Sequence, residues 1–353
     1  MSKMPTVKDV AEYAGVSVGT VSRVLSGESA VKPMLRERVN DAISALGYRP
    51  NVTARALRTS RTDIIGLVVP DITNPFFAQL AASVERAALE CAHSLMLASS
   101  HNDSEAEQSH VSAFLDRSVR GIIVVASSDG SGLDLSTSVP IISLDRRFGA
   151  FPLVSTNHAQ AATLIADHLY GLGHRHIAYI AGPADTEAGR MRKEAFVSRI
   201  DGFGKTDGPV ELEIAHGRFD YESGERIARE LLSRPPQSRP TAIAAASDQQ
   251  AIGALRAARD LKIDVPRKLS VTGFDDISLA NLVVPRLTTV RQPADMLARR
   301  AVRLLLEEPP GTGDEMVDGT LIVRGSSGPC PQPDAAARKS EPIQAKPGAR
   351  SKE

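Results

Sequence analysis

From residue 64 onward, apolar runs alternate with amphipathic stretches for about 260 residues. Runs such as IIGLVV, GIIVVA, HIAYIAG and LSVTGF are typical of buried strands, and a helical stretch follows most of them. Repeated alternation of strand and helix predicts an α/β architecture, in which a doubly wound parallel sheet carries helices on both faces. Because about 260 residues exceed what one such sheet holds, we expect two similar lobes, each with its own parallel sheet.

Interruptions in this alternation indicate the lobe boundaries. A break near residues 154–157 and a return near 289–293 would let the last helix and strand rejoin the first lobe. We therefore expect a first lobe of residues 62–154 plus 292–325 and a second lobe of residues 155–291. Residues 326–353 contain five prolines and no aromatic residue, which predicts a disordered tail.

The first 49 residues show helical spacing instead. Thr6 and Asp9 have the spacing of a capping box, and Gly15 interrupts the pattern before a second helix over 18–25. A third helix is expected from Pro33, which suits a first helical position, to Gly47, which suits a helix end. Residues 1–49 are thus predicted to form a small all-α domain, and residues 50–61 a linker with a possible short helix.

The turn AGVS between the first two helices is typical of a helix-turn-helix, whose second helix enters the major groove of DNA. Ala11 and Val21 are expected to pack between the helices. On the outer face, hydroxyl groups suit contacts with phosphates. The valine suits contact with a thymine methyl group, and the arginine suits hydrogen bonds to guanine. The residues expected to contact DNA are Thr6, Ser17, Val18, Gly19, Thr20, Ser22 and Arg23. The alternative is a docking domain with a solvated basic face.

The charge distribution fits a basic module on an acidic body. The chain has 42 basic and 42 acidic residues, so its formal net charge is zero. Residues 1–60 hold nine basic and five acidic residues, a net +4, and the remainder is therefore −4. This asymmetry favours an anionic partner for the first segment.

Several classes of protein are disfavoured by simple counts. Cys91 and Cys330 are too few for a disulfide framework. No apolar run approaches the ~18 residues of a membrane span. The first residues lack the apolar core of a signal peptide, so we expect a cytoplasmic protein with no membrane contact.

A ligand site is expected where the strands of the two sheets end. In open parallel sheets, ligands bind beyond the carboxyl ends of the strands. Aromatic faces combined with Asp, Asn and Arg suit a sugar, although each residue alone could be a helix cap or a turn residue. The residues that follow predicted strands or lie in such loops are Asp71, Asn74, Phe76, Phe77, Ser99, Ser100, Asp145, Arg146, Phe219, Ser247, Asp248, Phe274 and Asp275.

The same segments resemble a known family. The chain begins with TVKDVAEYAGVSVGTVSRVLSG and LRERVNDAISALGYRPNVTARALR, which closely resemble the start of the LacI/GalR (lactose-repressor/galactose-repressor) family of bacterial transcription factors. The resemblance continues through IIGLVVPDITNPFF, LDRR, HLYGLGHRHIAYIAG, SDQQAIGAL and VTGFDDISLANLVVPRLTTVRQP. It therefore covers roughly residues 5–325 and leaves out the tail.

The resemblance implies a homodimer that binds double-stranded DNA at a near-palindromic operator. It also implies a two-lobed core like that of periplasmic binding proteins, in which a sugar or sugar acid controls operator affinity, most simply for repression of a carbohydrate-use operon. The family's hinge helix matches 51–58, and its leucine, here Leu57, wedges a base step in the minor groove. The alternative for Leu57 is a small interdomain core contact. The hinge residues expected to contact DNA are Asn51, Ala54, Arg55 and Leu57.

For the ligand site, the resemblance adds Arg192, Gln292 and a stacking role for Phe219, and it assigns hydroxyl binding to Asp275. At two positions the sequence departs from the pattern of the family. Ala195 replaces the glycine of the family's RxxGF motif, and Ser247 stands where many relatives have Asn. The full set of expected effector contacts is Asn74, Phe76, Phe77, Ser99, Asp145, Arg146, Arg192, Phe219, Ser247, Asp275 and Gln292. Arg146 and Arg192 together would also tolerate the carboxylate of a sugar acid.

An enzyme is disfavoured, and no cofactor or metal is expected. Residues 204–206 (GKT) resemble the end of a phosphate loop, but Arg199 stands where that loop requires glycine. Residues 15–19 (GVSVG) match Gly-x-Ser-x-Gly, but they lie between two predicted helices and not at the strand-to-helix turn that a nucleophile elbow requires. A sugar-modifying enzyme would have to use Asp145 or Asp275, and hydroxyl binding explains both. A sugar-uptake protein would share the two-lobed body but would need a signal peptide and would not carry residues 1–60.

Overall fold

The computed structural model describes residues 5–25, 31–48, 62–130, 132 and 137–331. The chain divides into two compact units. One comprises Met1–Asp63 with Asp116–Arg120, and the other comprises Ile64–Leu115 with Gly121–Glu353. The linker predicted at 50–61 lies outside the described residues.

The N-terminal unit contains the three predicted helices, α1 (Val7–Ala14), α2 (Val18–Leu25) and α3 (Pro33–Leu46). Thr6 and Asp9 form the capping box at the start of α1, with the Thr6 amide donating to the Asp9 carboxylate at 2.6 Å. Gly15 ends α1 with φ +61°, and an added Cβ there would lie 2.6 Å from Arg38 Nη2. The fully buried residues of this small core are Val10, Ala11, Ala14, Val21, Val39 and Ala42.

The second unit contains two six-stranded sheets, which confirms the predicted two-lobed α/β core. In the first sheet the strand order is β11-β5-β4-β3-β1-β2, and all neighbours are parallel. Its strands are β1 (Ile64–Val69), β2 (Ser94–Ser99), β3 (Gly121–Val124), β4 (Ile141–Leu144), β5 (Leu153–Thr156) and β11 (Glu315–Val317). Strands such as β3 and β4 are buried along their whole length, as expected for a parallel sheet covered on both faces.

The second sheet has the order β12-β10-β9-β8-β6-β7, in which only β12 is antiparallel to its neighbour. Its strands are β6 (His176–Ala181), β7 (Glu211–His216), β8 (Ala242–Ala245), β9 (Ser270–Asp275), β10 (Thr288–Arg291) and β12 (Thr320–Ile322). The helices of the unit are α4 (Pro75–Glu90), α5 (Ser104–Asp116), α6 (His158–Gly171), α7 (Glu187–Asp207), α8 (Tyr221–Leu232), α9 (Asp248–Asp260) and α10 (Ala294–Leu306). Among the described helices, none is long and apolar enough to cross a membrane.

The chain passes between the two lobes three times, after β5, β10 and β11. Helix α10 packs against α4 and strand β11 joins the first sheet, so this part of the last segment returns to the first lobe. The prediction that residues up to 325 stay there is wrong, because β12 pairs with β10 of the second sheet. A three-residue strand carries too little periodicity for the sequence to say which of two edges it joins.

The predicted start of the disordered tail at residue 326 is also wrong. The Ser326 side chain is fully buried, where Oγ donates to the Val271 carbonyl at 2.6 Å and accepts from the Thr288 amide at 2.8 Å. The Gly328 amide donates to Ser270 Oγ at 3.0 Å. Polar and backbone hydrogen bonds hold this segment on the second lobe, and such bonds leave no apolar signature in the sequence.

Ending the chain after Gly325 should lower the free energy of unfolding by about 2–4 kcal/mol relative to a chain that ends after Pro331, because several buried hydrogen bonds are lost. Urea denaturation of the two truncated proteins measures this difference. Equal unfolding midpoints would show that residues 326–331 do not stabilise the second lobe.

Candidate functional site

The outer face of α2 carries the side chains that the helical spacing predicted there. Ser17, Gly19 and Arg23 are exposed, and Val18 is 42% exposed. Ser17 Oγ accepts a hydrogen bond from the Thr20 amide at 3.1 Å and so caps the helix. Arg23 lies on the same helix, where its Nε donates to the Gly19 carbonyl at 3.3 Å. Thr6 is exposed, whereas Thr20 and Ser22 are half-buried.

The hinge residues form the other half of the predicted DNA contacts. Asn51, Ala54, Arg55 and Leu57 lie outside the described residues. Their contacts with DNA stay a prediction.

In the first lobe, the loop after β1 leads into α4 and presents two aromatic rings. Asn74 caps α4, and its Oδ1 accepts from the Phe76 amide at 3.0 Å. Phe76 and Phe77 are 5% and 3% exposed, with ring centroids 5.4 Å apart. Because the cap fixes the first turn of the helix, it also fixes where both rings lie.

Asp145 and Arg146 follow β4 in the same lobe. Asp145 has φ +63°, an unusual backbone conformation for a residue other than glycine. The Arg146 guanidinium carbon lies 5.1 Å from the Phe77 ring centroid and 5.6 Å from that of Phe219 in the second lobe. Arg146 Nη1 donates to the Ser127 carbonyl at 3.4 Å. Burial raises the pKa of the Asp145 carboxyl, while the charges of Arg192 and Arg146 act to lower it.

In the second lobe, Arg192 on α7 meets Asp275 at the end of β9. Arg192 Nη1 donates to the Ala246 carbonyl at 2.8 Å and lies 3.4 Å from Asp275 Oδ1. The guanidinium carbon is 3.8 Å from the ring centroid of Phe274. Burial raises the pKa of the Asp275 carboxyl to about 6, against the opposing effects of the Arg192 charge and the Gln292 amide.

Gln292 connects this pair to the crossing between the lobes. Its Nε2 donates to Asp275 Oδ1 at 2.7 Å, and its Oε1 accepts from Thr156 Oγ1 at 2.7 Å. Thr156 ends β5 of the first sheet, so the hydrogen bonds span both lobes.

His158 belongs to the same cluster, although it is not among the residues predicted from the sequence. It begins α6 and is 2% exposed. Arg192 Nε donates to His158 Nδ1 at 3.3 Å, and His158 Nε2 lies 3.6 Å from Asp145 Oδ1. Burial, together with the Arg192 charge, lowers the pKa of the imidazole well below its usual value, so it is neutral. The signal that points to it is its position just after the carboxyl end of β5, where the other strands also carry residues of the cluster.

Two predicted contacts have local structural roles. Ser99 Oγ accepts from the Ile72 amide at 3.3 Å and supports the loop before Asn74. Ser247 Oγ accepts from the Gln250 amide at 3.3 Å and caps α9. These are the helix-cap and turn roles that the sequence analysis left open for each strand-end residue.

Two cavities lie beside this cluster. One of about 460 Å³ lies between the lobes, with Asn74, Phe77 and Arg146 on one side and Thr186 and Phe219 on the other. A second, of about 530 Å³, is lined by Phe76, Asp275 and Gln292 together with residues of α4 and α10. Arg146 thus lines the first cavity, and its guanidinium lies near one phenyl ring from each lobe.

Two histidines at and just after the end of α6, His168 and His174, make hydrogen bonds within the second lobe. His174 Nδ1 is 2.9 Å from Thr241 Oγ1, and His174 Nε2 is 3.0 Å from Ser270 Oγ. His168 Nε2 is 2.8 Å from Ser327 Oγ. Across the described side chains, no three His, Cys, Asp or Glu residues are grouped to hold a metal ion.

Comparison with known protein families matches both units. Residues 6–51 match the model described as bacterial regulatory proteins, lacI family, and residues 166–327 match a periplasmic binding protein-like domain. The chain is 34% identical to the ribose operon repressor of Halalkalibacterium halodurans, over 86% of this chain and 90% of the relative. It is 36% identical to the HTH-type transcriptional regulator GalS of Salmonella typhimurium, over 88% and 92%.

Solved structures agree with this assignment. The Lac repressor dimer bound to operator and the anti-inducer ONPF matches with a TM-score of 0.78 and 28% identity, over 92% of this chain and 100% of that chain. A complex of the transcriptional regulator CelR with cellobiose matches with a TM-score of 0.67 and 30% identity, over 92% and 100%. The resemblance found in the sequence is confirmed, and the chain belongs to the lacI family of bacterial regulatory proteins.

Proposed function

We propose that the chain represses a carbohydrate-use operon and that a sugar-like effector bound between the lobes controls its affinity for the operator. The observation that carries this proposal is an α2 face of small, hydroxyl and arginine side chains on a well-packed three-helix core. The relatives support it, because they include repressors named for ribose and a regulator solved with cellobiose.

On DNA, α2 enters the major groove and places Val18 and Arg23 against base edges. Thr6, Ser17, Thr20 and Ser22 supply hydroxyls for phosphate contacts, and Gly19 allows close approach of the backbone. The hinge residues Asn51, Ala54, Arg55 and Leu57 follow from the family resemblance, in which Leu57 wedges a base step. As proposed domain limits, we keep 1–49 for DNA reading and 50–61 for the hinge.

The effector binds in the cleft between the lobes. The proposed contacts from the first lobe are Asn74, Phe76, Phe77, Asp145 and Arg146. Those from the second lobe and the crossover are Arg192, Phe219, Asp275 and Gln292, while Ser99 and Ser247 act through the loop and helix that they cap. An effector that binds one relative arrangement of the lobes better than another shifts the population between them.

We infer that the chain forms a homodimer. A near-palindromic operator has two similar half-sites, and each of two identical chains binds one of them. A structure of the Lac repressor, which this chain resembles, is described as a dimer on its operator. We infer that the protein acts in the bacterial cytoplasm, where the chromosome lies.

A sugar-uptake protein and a sugar-modifying enzyme are the alternatives. The helix-turn-helix unit argues against the first, because uptake of a sugar has no use for it. The relatives are named as regulators, and the proposed hydroxyl binding explains the two cleft carboxyls, so we do not propose an enzymatic activity.

Selection from a random DNA library should return a near-palindromic operator. On that operator, Arg23→Ala should cost about 1–3 kcal/mol against the cognate base pair, and Val18→Ala should shift preference at one thymine position. Binding to single-base operator variants measures both effects. If Arg23→Ala weakens binding equally on every variant, Arg23 contacts phosphate and does not read a base.

A further inference from the structure

One contact joins the two lobes at a distance in sequence from the three places where the chain crosses between them. Asp129 follows β3 of the first lobe and faces the start of α7 in the second lobe. Asp129 Oδ1 accepts from the Glu187 amide at 2.7 Å, and the Asp129 amide donates to the Asp185 carbonyl at 2.7 Å. Asp129 Oδ2 also pairs with Nη1 of Arg190. These four residues are termed here the interlobe clasp.

The clasp supplies part of the N-terminal cap of α7 from the opposite lobe. The first amides of an α-helix have no acceptor within the helix. Thr186, in the same lobe, caps one of them, because its Oγ1 accepts from the Gly189 amide at 3.3 Å. The Glu187 amide has its acceptor on Asp129 of the first lobe instead. The dipole of this 21-residue helix also favours a carboxylate at its N-terminus.

Arg190 holds the carboxylate of Asp129 against its acidic surroundings. Its Nη1 also donates to the Ala184 carbonyl at 3.0 Å, which places the guanidinium at the start of the helix. The hydrogen bond to Asp129 raises the pKa of Arg190, and the charges of Asp129, Glu187 and Glu194 act in the same direction. Without Arg190, Asp129 would face the like charge of Glu187.

The clasp borders the cavity of about 460 Å³ between the lobes. Ser128, next to Asp129, lines the cavity from the first lobe, and Asp185 and Thr186 line it from the second. The side chains of Asp129 and Arg190 are 37% and 41% exposed, so the clasp lies where the cavity meets the surface. Rotation of one lobe about the three crossings that opens this cavity has to separate the residues on its two sides.

We propose that Asp129 is a positioning residue that clasps α7 across the cleft and holds the two lobes together when no effector is bound. The inference goes beyond the proposed function. Opening of the lobes breaks the bonds of Asp129 to Glu187, Asp185 and Arg190 together, so the clasp sets how often the cleft opens. Because α7 also carries Arg192, the clasp fixes the position of that side chain relative to the first lobe.

Hydrogen exchange of the full chain, measured without DNA or sugar, tests this inference. The amides of Asp129 and Glu187 both donate across the cleft, so their protection from exchange reports on contact between the lobes. Each rate is divided by the rate of an unstructured peptide of the same sequence, which removes the direct effect of a substitution on the exchange chemistry. Both amides should be protected in the wild type, and their absence of protection would overturn the inference.

Each variant changes one lobe, and its effect is measured on the other. Asp129→Ala should lower the protection of the Glu187 amide about fivefold, as expected for loss of a helix cap. Asp129→Asn keeps an acceptor oxygen without the charge, so it should retain part of that protection. Arg190→Met should lower the protection of the Asp129 amide about twofold, since it removes an exposed ion pair.

Asp167→Ala is the matched control. Asp167 on α6 pairs with Arg199 on α7, and these side chains are 44% and 47% exposed, but both belong to the second lobe. Its loss should leave the protection of Asp129 and Glu187 unchanged. Unchanged protection of Glu187 in Asp129→Ala, or an equal decrease in Asp167→Ala, would show that Asp129 does not hold the lobes together. Neither result would affect the proposed function, which DNA and sugar binding test separately.

Discussion

Replacing Gly224 with alanine should lower the free energy of unfolding of the second lobe by about 1–3 kcal/mol or more, because the added methyl group overfills a close contact between two helix backbones. Gly224 on α8 faces Gln250 on α9, and an added Cβ would lie 2.5 Å from Gln250 Cα and even closer to the Gln250 carbonyl oxygen. The contact is reciprocal, since a Cβ on Gly253 of α9 would lie 2.6 Å from the Glu225 amide nitrogen. Because no flexible side chain can move aside, the helices must separate.

The same substitution should weaken effector binding. Gln250 Nε2 donates to the Arg218 carbonyl at 2.9 Å and to the Ala181 carbonyl at 3.1 Å. It therefore holds the loop that presents Phe219 to the cleft. Movement of α9 away from α8 would displace this amide and, with it, the aromatic ring.

Gly202→Ala is the matched control for Gly224→Ala. Gly202 lies inside α7, and nothing lies within 4 Å of an added Cβ. Alanine there should stabilise the protein by up to about 1 kcal/mol through helix propensity alone. Urea unfolding followed by circular dichroism gives both changes. If the two variants shift the midpoint in the same direction, the tight crossing of α8 and α9 does not limit stability.

Several residues of the cleft could be predicted from the sequence, because ligands bind beyond the carboxyl ends of parallel strands and a parallel sheet brings these ends to one edge. Asn74, Asp145, Arg146 and Asp275 were found in this way. Arg192 lies within a long helix, at no strand end, and only the family resemblance pointed to it. His158 follows a four-residue strand that was treated as a lobe boundary, so its place in the cluster was overlooked.

The periodicity of apolar residues predicts the fold, and the wrong predictions concern segments in which this periodicity is absent. Fully apolar runs such as IIGLVV predict buried parallel strands, and the capping box and Gly15 predict the limits of α1. The segment after residue 320 has no such pattern. Ser326 is held by hydrogen bonds to Val271 and Thr288, and a serine in a proline-rich sequence gives no sign of such distant partners.

Arg192→Met should lower the free energy of unfolding by about 3–5 kcal/mol at pH 8, because it breaks a buried ion pair by removing one partner. Methionine fills similar space but leaves Asp275, His158 Nδ1 and the Ala246 carbonyl without the donor they share. The variant should also lose effector binding, since Asp275 and His158 are no longer held in place.

The decrease in the free energy of unfolding caused by Arg192→Met should be larger at high pH than at low pH. The pKa of Asp275 is already raised to about 6 with Arg192 present, and it should rise further once that opposing charge is removed. A carboxyl whose pKa is higher in the folded state than in the unfolded state gives a stability that is present at low pH and lost as the pH rises through the folded pKa. The gap between the wild type and Arg192→Met should therefore be smaller at pH 5 than at pH 8.

Urea unfolding at both pH values measures this gap, with Arg199→Met as the control on the same helix. Arg199 pairs with Asp167 at the surface, where both side chains are more than 40% exposed, so its loss should change stability little at either pH. Adding Asp275→Asn to Arg192→Met should restore part of the stability at pH 8, because the amide needs no counter-charge. A gap that is the same at pH 5 and pH 8, or a double variant no more stable than Arg192→Met, would mean that Arg192 stabilises the lobe by packing on Phe274 and not by balancing the charge of Asp275.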